Sequence, residues 1–134
     1  MASALYDKGR EGFLDGSIDW DTDDIRTMLV KTGYTFSAAH DFLDDVATLY
    51  DNGRTVALGT KTVASGVAGA AVTSLQATAA VLSIALVIYK YNAADSAARL
   101  ICYIDDATGL PFTPAASQTV NITWDTGANK IFKL

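Results

Sequence analysis

The chain has 134 residues, 50% of them hydrophobic and 19% charged, with 10 Lys+Arg against 15 Asp+Glu for a net charge of −5. This composition excludes a disordered tail, and a sequence pI near 4.5 argues against a protein that neutralises phosphates, so no nucleic-acid partner is expected. A chain of this size buries about two-thirds of its surface and leaves roughly 7,000 Å² exposed, enough for one self-supporting domain over residues 1–134. Its one cysteine, Cys102, makes no intrachain disulfide and no multi-thiolate metal site.

The charges divide the chain. Residues 1–51 carry 11 acids and 4 bases, whereas residues 52–134 carry 4 acids and 6 bases. All the acids except Glu11 are Asp, a residue of caps and turns, so the acidity reads as loop chemistry. No apolar core follows the first charges, so no secretory leader is expected. The most apolar stretch, Ala77 to Tyr89, is broken by Thr78 and Ser83 and is shorter than the ~20 residues of a spanning helix; no membrane association is expected.

In chain order, Ala4 to Leu14 has roughly helical spacing of Leu5, Tyr6, Phe13 and Leu14, with Ser3 as N-cap and Gly16 as stop. Ile25 to Lys31 alternates and then turns apolar between an Asp-rich turn and Gly33, which predicts a strand. Ser37 to Tyr50 places Phe42, Leu43, Val46, Leu49 and Tyr50 at three- and four-residue spacings, a second short helix or helical turn. Asn52-Gly53 is a turn signal, and after it the periodicity becomes β. Strands are expected at Thr55 to Leu58, Lys61 to Ala64, Ala71 to Ala77, Val81 to Tyr91, Arg99 to Ile104, Thr119 to Trp124 and Lys130 to Leu134. The whole reads as mainly β: a jelly-roll-like sandwich of about seven or eight antiparallel strands, with one or two short helices in the acidic part.

Val81 to Tyr91 is mainly apolar on both faces, with Val81, Ser83, Ala85, Val87 and Tyr89 on one and Leu82, Ile84, Leu86 and Ile88 on the other. Such a strand lies centrally with cover on both sides, or packs one face on another subunit. Because a domain this small has little material to cover two faces, Leu82, Ile84, Leu86 and Ile88, with Trp20 and Phe112, are the expected interface residues.

Sites of chemistry are sparse. Asp19, Asp21 and Asp23 alternate as calcium-loop ligands do, but Asp24 stands where an EF-hand needs glycine and Val30 where it needs Glu, so a solvated turn is the better reading. His40 and Asp44 would share a helix face beside Asp41 and Asp45, yet a lone histidine makes a thin ligand set or general base. Cys102, in Leu-Ile-Cys-Tyr-Ile, reads as a small buried hydrophobe. Gly59, Gly66 and Gly69 lack the setting of a phosphate loop, and Asn121-Ile122-Thr123 sits in an alternating strand rather than a glycosylated loop. The expectation is a non-enzyme without cofactor or metal.

Ala4 to Leu14, Ile18 to Arg26, His40 to Val46, Ala85 to Lys90, Arg99 to Asp105, Thr108 to Phe112 and Ile122 to Leu134 together resemble small virion proteins of tailed bacteriophages. The resemblance spans nearly the whole chain and is least close over Thr60 to Ala80. It implies a capsid cement or decoration protein with a jelly-roll-like β fold, made in the host cytoplasm and placed on the capsid exterior. Its implied partners are the major capsid protein and further copies of itself, as a homodimer or homotrimer. A minor tail or tail-tip protein, and a receptor- or glycan-binding β module, are the alternatives.

Overall fold

The computed structural model describes residues 4–128 and 130–134. The elements follow in the order β1 (Ala4–Leu5), α1 (Asp7–Asp15), β2 (Ile25–Lys31), α2 (Asp44–Tyr50), β3 (Asp51–Arg54), β4 (Thr62–Ala64), β5 (Val67–Gly69), β6 (Thr73–Gln76), β7 (Ser83–Lys90), β8 (Leu100–Ile104), β9 (Thr119–Ile122) and β10 (Phe132–Lys133), with a 3₁₀ turn at Asp95–Ala97. The architecture is mainly β with two short helices, as expected. All the ladders are antiparallel and form a five-stranded sheet β1-β8-β7-β2-β3, a three-stranded sheet β10-β5-β4 and a pair β6-β9. This grouping does not by itself make a jelly roll, whose two sheets carry eight strands between them.

The five-stranded sheet is the spine, and β7 is its middle strand. Both of its faces are covered by the same chain. On one side Leu86 and Ile88 join Ile25, Leu29, Cys102 and Ile104 beneath Trp20, Leu75, Ile122 and Phe132, contributed by the smaller sheets and the loop after α1. On the other, Ala85, Val87 and Tyr89 meet Tyr6, Tyr34, Leu43 and Val46. At the start of β7, Val30 pairs with Ala85 but Lys31 with Ser83, and the extra residue, Ile84, packs on the second side. The described residues expose 6500 Å², close to the area a chain of this length exposes when folded.

Several boundaries differ from the sequence reading. β1 occupies Ala4–Leu5, where a helix was expected, because it pairs with Tyr103 and Cys102 of β8; the helix begins at Asp7 after Tyr6. Gly16 does end α1, in the left-handed conformation at φ 79°. Ser3 lies outside the described residues. Ser37 precedes a turn rather than a helix: its carbonyl accepts from the His40 N–H at 3.1 Å, and α2 starts at Asp44. Thr55 to Leu58 stays outside the strands, tied to β2 by the Thr55 and Leu58 N–H groups, which donate to Thr27 and Ile25 at 2.8 Å. A hairpin turn at Ser65-Gly66, both with positive φ, creates β5, a strand absent from the sequence reading.

The clearest correction concerns Asn52-Gly53, which is not a turn but the middle of β3. Asn52 is fully buried. Its Nδ2 donates to Ser83 Oγ at 2.9 Å, and its Oδ1 accepts from Thr78 Oγ1 at 3.0 Å and the Ala79 N–H at 2.9 Å. One amide thus fastens β3 to β7 and to the strand-connecting segment after β6. Replacing Asn52 with Ala should cost about 2–3 kcal/mol, since buried partners lose their hydrogen bonds; thermal unfolding beside the wild type measures it, and an unchanged midpoint refutes the role.

Candidate functional site

The residues singled out in the sequence scatter over the fold. Asp19 and Asp21 are exposed neighbours: Asp19 is held below the usual carboxylate range by hydrogen bonding with Asp21 and Thr22, while Asp21 is pushed up by Asp19. Asp23 turns elsewhere, accepting from the Asp19 N–H at 2.8 Å and pairing with Lys90 Nζ at 3.1 Å. Among the described residues no three His, Cys, Asp or Glu side chains converge as a metal-ligand set.

His40 precedes α2 and so does not share a helix face with Asp44. Its Nδ1 lies 2.7 Å from Tyr34 Oη, which lies 2.9 Å from Tyr6 Oη, a chain of hydrogen bonds into the core. Burial pushes both phenols up, so they act here as fixed neutral groups. Asp45 accepts from the Asp41 N–H at 2.9 Å, whereas Asp44 and Asp41 face solvent. Cys102 is buried, and burial pushes its thiol up to about 12, the condition of an unreactive core residue.

The expected interface set is largely consumed within the chain. Ile88 is wholly buried, Leu86 is 6% exposed, and Trp20 is buried with its Nε1 donating to the Gly69 carbonyl at 3.1 Å. Ile84 and Phe112 are half-buried, Phe112 exchanging two backbone hydrogen bonds with Ser83 at 2.8 and 3.1 Å. Leu82, at 40% exposed, is the most open of the six. The correction has a physical reason: short strands and loops supply the second layer that the length argument denied.

Two surface features remain. Six of the acids of residues 1–51, Asp7, Glu11, Asp15, Asp41, Asp44 and Asp45, are exposed on or beside α1 and α2. A groove of about 390 Å³ runs beside β9, between Gln118–Thr123 and the segment Ala107 to Phe112, with Leu29 and Leu86 of the central sheet at its base. No sequence signal marked the groove, because it arises from the spacing of two layers. Among the described residues no helix is long and apolar enough to cross a membrane.

One ion-pair network lies at the β3 edge of the central sheet. Arg54 donates to both oxygens of Asp95 at 2.8 and 2.7 Å and to Asp51 at 2.8 Å, which holds the Asp95 carboxyl below its ordinary range and tethers the 3₁₀ turn to β3. A depressed carboxyl stabilises the fold fully above its unfolded pKa of about 3.9 and loses that contribution as pH falls through the lower folded value. Acid titration of stability should therefore steepen below about pH 4 and be shallower for Asp95→Asn; identical acid limbs in the two proteins would remove the pair from the account.

No family model matches the chain, and comparison with curated proteins and with solved structures found no match.

Proposed function

We propose that this chain is a structural component of a tailed-bacteriophage virion, of the cement or decoration type, bound to the outside of the head shell where it bridges capsomers. The observation that carries the reading is the resemblance of segments spread from Ala4 to Leu134 to such proteins. Two features of the chain support it. A protein of this role needs a stable fold without a catalytic centre, and here the core residues of both layers come from one chain. It also needs a surface for a large partner, and the exposed acids around α1 and α2 offer one to basic patches on a shell. Contacts that are weak singly hold when many identical copies repeat them. The partners in this reading are the major capsid protein and further copies of the chain, met through Leu82 and other surface residues rather than the face of β7.

The experiment is a map of intact particles carrying the chain, with quantitative mass spectrometry of its abundance. Copies in proportion to shell subunits, seated between capsomers, support the proposal; a few copies at the tail tip favour the tail reading, and absence from particles overturns both. If the acidic surface makes the contact, detachment from shells rises with ionic strength, and salt-indifferent attachment contradicts that part.

A further inference from the structure

We propose that the groove beside β9 is a docking site for an extended, uncharged peptide segment of a partner protein, which adds to the β6-β9 pair as a third strand. The layer opposite the central sheet is discontinuous: β10-β5-β4 and β6-β9 are separate, and among the described residues no strand lies on the far side of β9. The register shows which backbone groups that edge presents. The Ala77 N–H donates to the Gln118 carbonyl at 2.9 Å, and pairing continues without a shift through Leu75↔Val120 and Thr73↔Ile122. Antiparallel ladders alternate, so the Gln118 carbonyl and the backbone groups of Val120 and Ile122 bond inward while Thr119 and Asn121 turn their N–H and C=O groups away from β6, on the groove side. The strand carries none of the usual blocks to edge pairing, neither Lys, nor Pro, nor a bulge.

The occupant follows from the chemistry of the walls. Outward N–H and C=O groups on alternate residues match the backbone of an extended chain, not that of a helix, whose own groups are already paired. The lining is apolar where it meets the central sheet, at Leu29 and Leu86, and across the groove at Leu110 and Phe112, while the β9 rim offers Thr and Asn side chains. None of the lining residues is charged, in a chain of net charge −5, so a segment with charged side chains at its inserted positions would bury them unpaired. A second copy pairing β9 with β9 would leave the groove empty, because its Val120 and Ile122 are already packed in its own core. The inference does not rest on the virion reading.

The test uses the full chain, isotope-labelled, with the capped pentapeptide Thr-Val-Thr-Val-Thr and versions carrying Leu, Ala or Lys in place of the valines. The apolar peptides should shift the Thr119 and Asn121 amide resonances and slow their hydrogen exchange, and the Lys version should bind at least about tenfold more weakly. Asn121→Pro removes an N–H that does not serve the β6 ladder, so the fold should persist while binding falls at least about tenfold. The Lys peptide gives the same discrimination on unaltered protein should the variant fold poorly. Perturbations elsewhere, no response to any apolar peptide, or equal binding of the Lys peptide overturns the proposal. So does protection of these two amides that grows with protein concentration alone, which assigns the edge to a second copy.

Discussion

Replacing Ile88 with Asp should abolish the fold rather than release subunits. Ile88 is fully buried at the middle of the central strand, opposite Thr27 on β2 and Cys102 on β8, with Ile25, Leu29 and Trp20 in the same cluster. A carboxylate there has no cation to pair with in that apolar cluster, and burying it or reopening the core costs about 4 kcal/mol or more, a large part of the roughly 5–15 kcal/mol that holds a domain together. Ile88→Val, which removes one methylene without changing chemistry, should cost only about 1 kcal/mol. Denaturant unfolding followed by tryptophan fluorescence reads both, since Trp20 belongs to the same cluster. A folded, monomeric Ile88→Asp protein of near-normal stability would mean that this face is a seam between chains after all.

The second large effect is expected at Gly53. Its φ of 119° lies where side chains are strained, and a Cβ would stand 2.2 Å from the Gln76 carbonyl oxygen, a backbone atom that cannot swing aside. Gly53→Ala must therefore either push β6 from β3 or rebuild β3, and should cost about 3 kcal/mol or more. Gly59, where an added Cβ meets nothing within 4 Å, provides the control: Gly59→Ala should stay within about 0.5 kcal/mol of wild type. Equal stabilities for the two variants would show that the β3–β6 approach does not constrain the fold.

Gly53 also shows why the sequence was only partly legible. Asn-Gly marks a hairpin turn because both residues accept positive φ, and the same freedom lets Gly53 sit under a neighbouring carbonyl in a strand whose Asn is spent on buried hydrogen bonds. The dipeptide keeps its local chemistry in the fold but uses it in a strand instead of a turn. By contrast, Ile25 to Lys31 forms β2 over the same residues, because alternation bounded by turns leaves one solution. β5 escaped notice since Val67–Gly69 has one β-branched residue and owes its strand state to partners on both sides, Ala64 and Lys133 opposite Val67. The two apolar faces of β7 were visible in the sequence, but what covers them was not. Tyr6, Trp20, Leu75, Ile122 and Phe132 lie far apart along the chain, in loops or in strands too short to announce a layer. For the same reason Leu86, Ile88 and Trp20 read as interface residues, and the groove beside β9 left no trace in the sequence.

Native-state hydrogen exchange across β7, measured at two widely separated protein concentrations, tests most directly whether the chain covers its own central strand. The amides of Ser83–Lys90 should be among the slowest to exchange, with β2 and β8 close behind, and their rates should be the same at both concentrations. Exchange in β7 that quickens on dilution would show that neighbouring molecules, and not Trp20, Ile122 and Phe132, shield it.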